Sequence, residues 1–337
     1  MNILYILGNG FDKAQGMHTS YPEFYKYLMD KKGSVFLEQL KKDIDAKTEL
    51  WSDMEVALGK FTSQISTASN FDDLYYELSD HLQNYLKKEE SNYKPSNEQK
   101  EKFVKDFISP FNYIEESDSI NYVRLLNEKK PIIGHPDTHS INVITFNYTN
   151  TLERLFPNDI VEKSNNFRES YAFDYSHYLK NIIHLHGQLG DSIIIGVDNE
   201  EQIANEQFRK NADIKDLLVK EQSNQVMGNT RHEQCEGLVR EADVIILYGV
   251  SLGETDASWW SLIRNMFEEE KLYIVQHLYK ENYSEVPSTK KQLYGRIKRE
   301  NRLNLMKKLG FSENQEDWPH NTNERLFFIT NSNLFKL

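Results

Sequence analysis

The sequence predicts an α/β fold in which a mostly parallel sheet is flanked by helices, and three observations carry that reading. The chain opens on the apolar run Ile3-Leu4-Tyr5-Ile6-Leu7, which turns at once into Gly8-Asn9-Gly10-Phe11-Asp12. Short apolar runs later in the chain, above all Ala242-Asp243-Val244-Ile245-Ile246-Leu247-Tyr248-Gly249, are near-continuous in Ile, Val and Leu, as suits strands covered on both faces. Between these runs lie stretches of helical spacing and charge, the alternation that a parallel sheet requires.

The elements follow in order. Residues 1–7 lack the basic start and small-residue cleavage site of a signal peptide, so the run is expected to be a buried strand. From about Tyr21 to Asn127 apolar residues recur at helical intervals: Phe24, Tyr27 and Leu28, then Phe36, Leu37 and Leu40, then Leu74, Leu78, His81, Leu82 and Tyr85. Residues 87–102, polar and containing Pro95, are expected to be an exposed linker before a second helical run, 103–128, that stops ahead of Pro131. From Ser140 the texture changes. Residues 141–146, 181–186, 193–197, 242–249 and 271–276 are expected strands, 148–156 begins a helix, 200–241 is a long charged helical region, and 258–269 is a helix. Together these give a Rossmann-like core from residues 1–20 and 131–280, a large helical insertion over 21–130 after the first strand, and a C-terminal extension, 281–337, packing on the core.

Composition narrows the function. The 337 residues can bury a full core, with 39% hydrophobic and 27% charged residues. No apolar run approaches the roughly 20 residues that span a bilayer, so no membrane partner is expected. A single cysteine, Cys235, permits no intrachain disulfide and no thiolate zinc site, and a cytoplasmic location is the default expectation. A formal net charge of −12 argues against nucleic acid as the main partner, while leaving room for a nucleotide pocket built from backbone dipoles. The tyrosines and phenylalanines are spread through the chain and are expected to pack the core. The basic stretch 290–302 suits a solvated helix face.

Five segments could carry chemistry. Gly8 and Gly10, with Asn9 and Phe11, stand where a strand turns into a helix and a backbone can approach a phosphate. A ligand-free tight turn explains the glycines equally well, and Asp12 either meets a ribose hydroxyl, base or metal or caps the helix. Thr145-Phe146-Asn147-Tyr148-Thr149, with Glu153 downstream, ends a strand at the edge where open α/β sheets bind ligands, although Asn147 or Thr149 could simply cap a helix. His184-Leu185-His186-Gly187 places both histidines on one face; His186, beside Gly187, is the better exposed site residue. Gly249-Val250-Ser251-Leu252-Gly253, with Asp256 behind it, forms a second loop at the same edge. Its Gly-x-Ser-x-Gly spacing matches a hydrolase elbow, for which Glu268, His277 and His320 are the later acid and histidines, but Asp256 follows the serine too closely to serve. Trp51 and Glu55, one helical turn apart, suit packing plus a surface charge.

Taken in order, Gly8-Asn9-Gly10-Phe11-Asp12, Thr19-Ser20-Tyr21 with Phe24, Trp51 with Glu55, Thr145 to Thr149, His184 to Gly187, and Gly249 to Gly253 with Asp256 resemble the AbiH family of bacteriophage abortive-infection proteins over roughly residues 1–280. That family is in turn similar to sirtuin-like NAD-binding domains at Gly8, Gly10, Thr145, Asn147, Tyr148, His186, Gly187, Gly249 and Ser251. This chain departs from them at Asn9, Asp12 and Thr149. The resemblance implies an antiphage effector that hydrolyses NAD or a related nucleotide at the ribose–nicotinamide bond. Asn147 and His186 are then catalytic. Gly8, Asn9, Gly10, Phe11, Asp12, Thr145, Tyr148, Gly187, Gly249, Ser251 and Asp256 bind the nucleotide. No cofactor or metal is required, NAD being the substrate; a phage-derived trigger and a homo-oligomer are the further partners it implies. The alternatives left open are a metal-dependent hydrolase or nuclease using Asp12, Glu55, His184, His186 and Asp256, and a nucleotide sensor without turnover.

Overall fold

The computed structural model describes residues 1–114, 118–128, 138–156, 166–170, 174–278, 291–330 and 334–337. Its centre is a seven-stranded sheet formed by β1 (Asn2–Leu7), β2 (Thr138–Thr145), β3 (Asn166–Ser170), β4 (Asp174–His184), β5 (Val244–Tyr248), β6 (Tyr273–Leu278) and β7 (Leu326–Thr330). The order across the sheet is β3-β4-β2-β1-β5-β6-β7, and only β3 runs antiparallel, at one edge. The remaining six strands are parallel, flanked by helices in a Rossmann-like arrangement. Ile3, Tyr5 and Leu7 face one core and Leu4 and Ile6 the other, which accounts for the continuous apolar runs.

The chain builds outward from β1 in one direction, through β2 to β4, and then returns to continue from the opposite side of β1 through β5, β6 and β7. The reversal lies between β1 and β5. In open parallel sheets that crevice, outside the carboxyl ends of the strands, is where ligands sit. Here it holds the Gly8–Asp12 and Gly249–Asp256 loops.

The helices between β1 and β2 do not share one core. Phe24, Leu28, Leu40, Trp51, Phe61, Leu74 and Leu78 form a cluster of their own, closed by Ile193, Ile195, Val197 and Leu218 from after β4. Phe103, Phe107 and Leu125 instead cover one face of the sheet against Tyr5 and Phe335.

Several expectations are corrected. Residues 87–102 are mostly helical: one helix runs Ala68–Asn92, the next begins at Asn97 with a Ser96–Gln99 capping box, and Pro95 sits in the short joint. Residues 193–197 are no sheet strand, because the segment lies between the sheet and the helical cluster. Its amides are satisfied elsewhere: Ile195 N–H donates to Tyr75 Oη at 3.1 Å and Val197 N–H to Leu218 O at 2.8 Å. The charged region 200–241 is broken into short helices, since Asn199, Asn205 and Asn211 each turn a side-chain oxygen onto the following amides and restart the chain. Within the C-terminal extension, Leu326–Thr330 adds a strand to the sheet, parallel to β6. Residues 129–137, including Pro131, and 279–290 lie outside the described residues.

No helix among the described residues is long and apolar enough to cross a membrane.

Candidate functional site

A cavity of about 640 Å³ opens above the β1/β5 crevice. Its walls are the two sheet-edge loops, the Phe146–Thr149 segment, His186, and residues 19–22, 49–50, 52–53 and 55–56 of the helical cluster. Of the sequence-predicted site residues, Gly8, Asn9, Asp12, Asn147, Tyr148, His186, Gly249, Ser251 and Asp256 line it.

The glycines are explained by backbone proximity. A Cβ on Gly8 would stand 2.5 Å from Gly249 O, one on Gly10 2.4 Å from Gly249 Cα, and one on Gly249 2.6 Å from Gly10 Cα. The loops are also bonded to each other, Gly8 N–H to Tyr248 O and Gly10 N–H to Gly249 O, both at 3.0 Å, while Phe11 N–H donates to Gly8 O at 2.8 Å. These three amides are therefore spent inside the protein, and the helix that follows is only Gly10–Ala14. The same loop carries Leu252, a buried leucine held at φ 53°.

Four predicted residues do not line the cavity. Gly10 is the interlock just described. Phe11 packs in the sheet core against Phe103 and Phe335, with ring centroids 6.1 and 5.5 Å away. Thr145 lies beneath Asn147 and accepts its backbone N–H at 3.1 Å. Gly187 has φ 82° and shapes the turn after β4, where a Cβ would collide with Ser192 O. These residues shape the site from behind its walls.

Asp12 is the anchor of one wall. Its carboxylate accepts from Asn147 Nδ2 at 3.2 Å and from Thr149 Oγ1 at 2.6 Å, so it fixes the orientation of the Asn147 amide. It is not a side-chain cap, and neither Asn147 nor Thr149 caps the Thr151–Leu155 helix, whose N-cap is Asn150. Burial raises the Asp12 carboxyl from 3.8 to about 6, against the opposing effect of its hydrogen bonds and of His184. The folded state thus holds this proton more tightly than the unfolded chain. The stability it contributes is greatest below the unfolded value and is lost as pH rises from about 4 to about 6. The shift corresponds to about 3 kcal/mol. Asp12→Asn, which cannot titrate, is expected to gain about that much on wild type between pH 4 and pH 7 in urea unfolding. An Asp12→Asn difference that is the same at both pH values would refute the assignment.

The two histidines have separate duties. His184 is held at both ring nitrogens, Nδ1 2.8 Å from Asn147 O and Nε2 2.7 Å from Glu153 Oε1. Burial opposes its protonation, but the Glu153 carboxylate, the Asn147 carbonyl and Asp12 together raise it. His186 is buried rather than exposed, yet it lines the cavity, with its ring 5.1 Å from Phe146, which in turn stacks obliquely near Trp260. Its Nε2 lies 3.1 Å from Asp256 Oδ1, off the line of N–H donation, so the contact is a close approach rather than an aligned hydrogen bond.

Behind Asp256 stands a residue that sequence reading missed. The Lys220 ammonium is buried between two carboxylates, 2.9 Å from Asp256 Oδ1 and 2.8 Å from Glu55 Oε2, and also donates to Thr255 O at 3.0 Å. Glu55 further accepts from Thr255 Oγ1 at 3.0 Å and Gly196 N–H at 3.3 Å, so the expected surface charge is a buried one. Burial would raise the Asp256 carboxyl, but Lys220 and His186 outweigh it and hold it far below its usual range. Glu55 moves the other way: burial dominates and raises it. Lys220 itself is held strongly protonated by its two carboxylates, which outweigh the burial that would lower it, and so is no nucleophile.

The residues of the metal-site alternative are thereby divided. Asp12 is occupied by Asn147 and Thr149, His184 by Glu153, and an ammonium fills the place between Glu55 and Asp256. Among the described residues no group of three His, Cys, Asp or Glu side chains could hold a metal ion. Of the histidines that the hydrolase-elbow spacing offered, His277 is buried with its ring against Tyr248, and neither of its ring nitrogens has a hydrogen-bond partner among the described residues.

The family model described as bacteriophage abortive infection AbiH matches residues 4–277. No curated protein matches the chain.

Proposed function

The chain belongs to the AbiH family of bacteriophage abortive-infection proteins, and from that premise we propose that it is an effector of abortive infection that hydrolyses NAD or a closely related dinucleotide at the ribose–nicotinamide bond. The observation that carries the reading is the convergence of Asn147, oriented by Asp12, and His186, backed by Asp256, on one cavity at the β1/β5 crevice. The resemblance of Asn147 and His186 to positions of sirtuin-like NAD-binding domains, read from the sequence, supports it.

Water attacks C1′ of the ribose as the C1′–nitrogen bond breaks. The bonding pair goes to the ring nitrogen, so a cationic pyridinium leaves as neutral nicotinamide and needs no strong acid. Positive charge develops on the ribose, and a cavity lined by Asp12, Asp53, Glu55, Glu254 and Asp256 favours it. His186 accepts the proton of the attacking water, the resulting imidazolium being stabilised by Asp256. Asn147 positions the ribose, the carboxamide or the water. Phe146, Tyr148 and Trp260 supply the apolar wall that keeps bulk water out.

Among the described residues that line the cavity Lys308 is the one Lys or Arg, and it is exposed. It suits the diphosphate. Lys308→Glu is expected to raise KM for NAD by about tenfold with kcat little changed, as loss of a contact that does not strengthen in the transition state would.

The direct test is incubation with NAD, using protein purified from phage-infected and from uninfected cells, with chromatography of the products. Equal amounts of nicotinamide and ADP-ribose are expected. Intact NAD after incubation with both preparations would overturn the reading.

A further inference from the structure

His186, Asp256, Lys220 and Glu55 come from four segments far apart in the chain, yet their charged atoms form one buried row. Three of these residues line the cavity; Lys220 does not. A buried ammonium flanked by two carboxylates costs considerable desolvation, which apolar residues of similar volume would avoid. A reason for keeping it there is what it does to its neighbours.

We propose that Lys220 is a positioning residue for the reaction. Its ammonium pins the Asp256 carboxylate in the place where it meets His186 Nε2, and Glu55, from the helical cluster between β1 and β2, pins Lys220. Lys220 Nζ and His186 Nε2 both approach Asp256 Oδ1, at 2.9 and 3.1 Å. Without the ammonium this carboxylate, buried at the end of a loop, would be free to swing. With it, the carboxylate has one orientation, and its hold on the imidazole is moderated because its charge is shared with a cation.

The charged groups facing His186 are Asp256, directly, and Lys220 and Glu55 behind it; Tyr148 and Tyr75, which approach Glu55, are kept as neutral phenols, chiefly by burial. The row carries one cation and two anions when the imidazole is neutral, and becomes balanced when His186 takes up a proton. Glu55 therefore links the helical cluster to the base across the cavity, which gives that cluster a part in the chemistry.

The inference rests on reading His186 as the base of the proposed hydrolysis, but its test needs no turnover. The imidazole of His186, assigned in NMR spectra by comparison with His186→Gln, is titrated in wild type, Lys220→Met and Glu55→Gln. Removing the ammonium, at most roughly 6 Å from the ring nitrogen, is expected to move the His186 midpoint up by about one pH unit. Removing the Glu55 charge is expected to move it down by a smaller amount. Lys220→Arg, which keeps the cation, is expected to stay nearer wild type than Lys220→Met. Shifts of opposite sign support the brace; an unmoved midpoint, or shifts of the same sign, overturns it. Should Lys220→Met fail to fold, Glu55→Gln decides alone, and no downward shift there overturns the proposal. Loss of NAD hydrolysis from wild type would be a separate result, because these midpoints do not depend on it.

Discussion

Replacing His186 by alanine is expected to lower NAD turnover by about 10²–10⁴-fold, the usual contribution of a positioned general base, with KM little changed. The residue sits on the cavity wall against Phe146 and is backed by a carboxylate, so alanine removes the proton acceptor while leaving the Asp12–Asn147 wall intact. The loss should be incomplete, since Asn147 and the acidic lining still favour the developing ribose cation. Asp256→Asn is expected to fall short of the alanine change, because the imidazole remains and only its orientation and charge partner are lost. Initial rates of nicotinamide release from the two variants and wild type, at matched folded concentration, decide the matter. Wild-type rates in His186→Ala would remove the residue from the chemistry.

How much of this was legible in the sequence depends on where a residue's partners lie. Asn147, His186 and the two glycine loops stood out because each directly follows an apolar strand, and the parallel sheet gathers such positions at one edge. Their partners were harder to find. Lys220 lies in a charged region where many lysines and glutamates are solvated, and nothing in its own neighbourhood marks it as buried. The one available hint was conditional: Glu55 in the AbiH-like signature and Asp256 beside the serine loop are two carboxylates that, if buried together, require a cation. Phe11 is the opposite case. It follows the glycine loop and so looks like a ligand contact, but the Gly10–Ala14 helix turns its side chain into the core beneath β1.

The fold shows the same division. Six parallel strands flanked by helices follow from continuous Ile, Val and Leu runs, but 193–197 has that composition and forms no part of the sheet. Burial on both sides is what the composition reports, and the segment obtains it between the sheet and the helical cluster. Strand β7 was overlooked because Leu326-Phe327-Phe328-Ile329 is short and follows a long charged stretch. Its pairing with β6 is fixed by tertiary structure alone.

Gly249→Ala is expected to destabilise the fold by about 3 kcal/mol or more, well beyond what its backbone angle alone would cost. Gly249 has φ 65°, where a non-glycine residue incurs roughly 1–2 kcal/mol. Gly228, at φ 69°, supplies the control, because a Cβ there meets nothing within 4 Å. At Gly249 the added Cβ would stand 2.6 Å from both Gly10 Cα and Phe11 N, backbone atoms that cannot turn aside as a side chain can. Relief requires the two loops to part, which would strain the 3.0 Å bond from Gly10 N–H to Gly249 O and displace Asp12, and with it Asn147. Gly228→Ala should therefore lose only about 1 kcal/mol and keep its activity, whereas Gly249→Ala should lose both stability and turnover. Urea unfolding of the pair measures the contrast. Equal losses in the two variants would mean that the loops are not interlocked, and that the glycines answer to backbone angle alone.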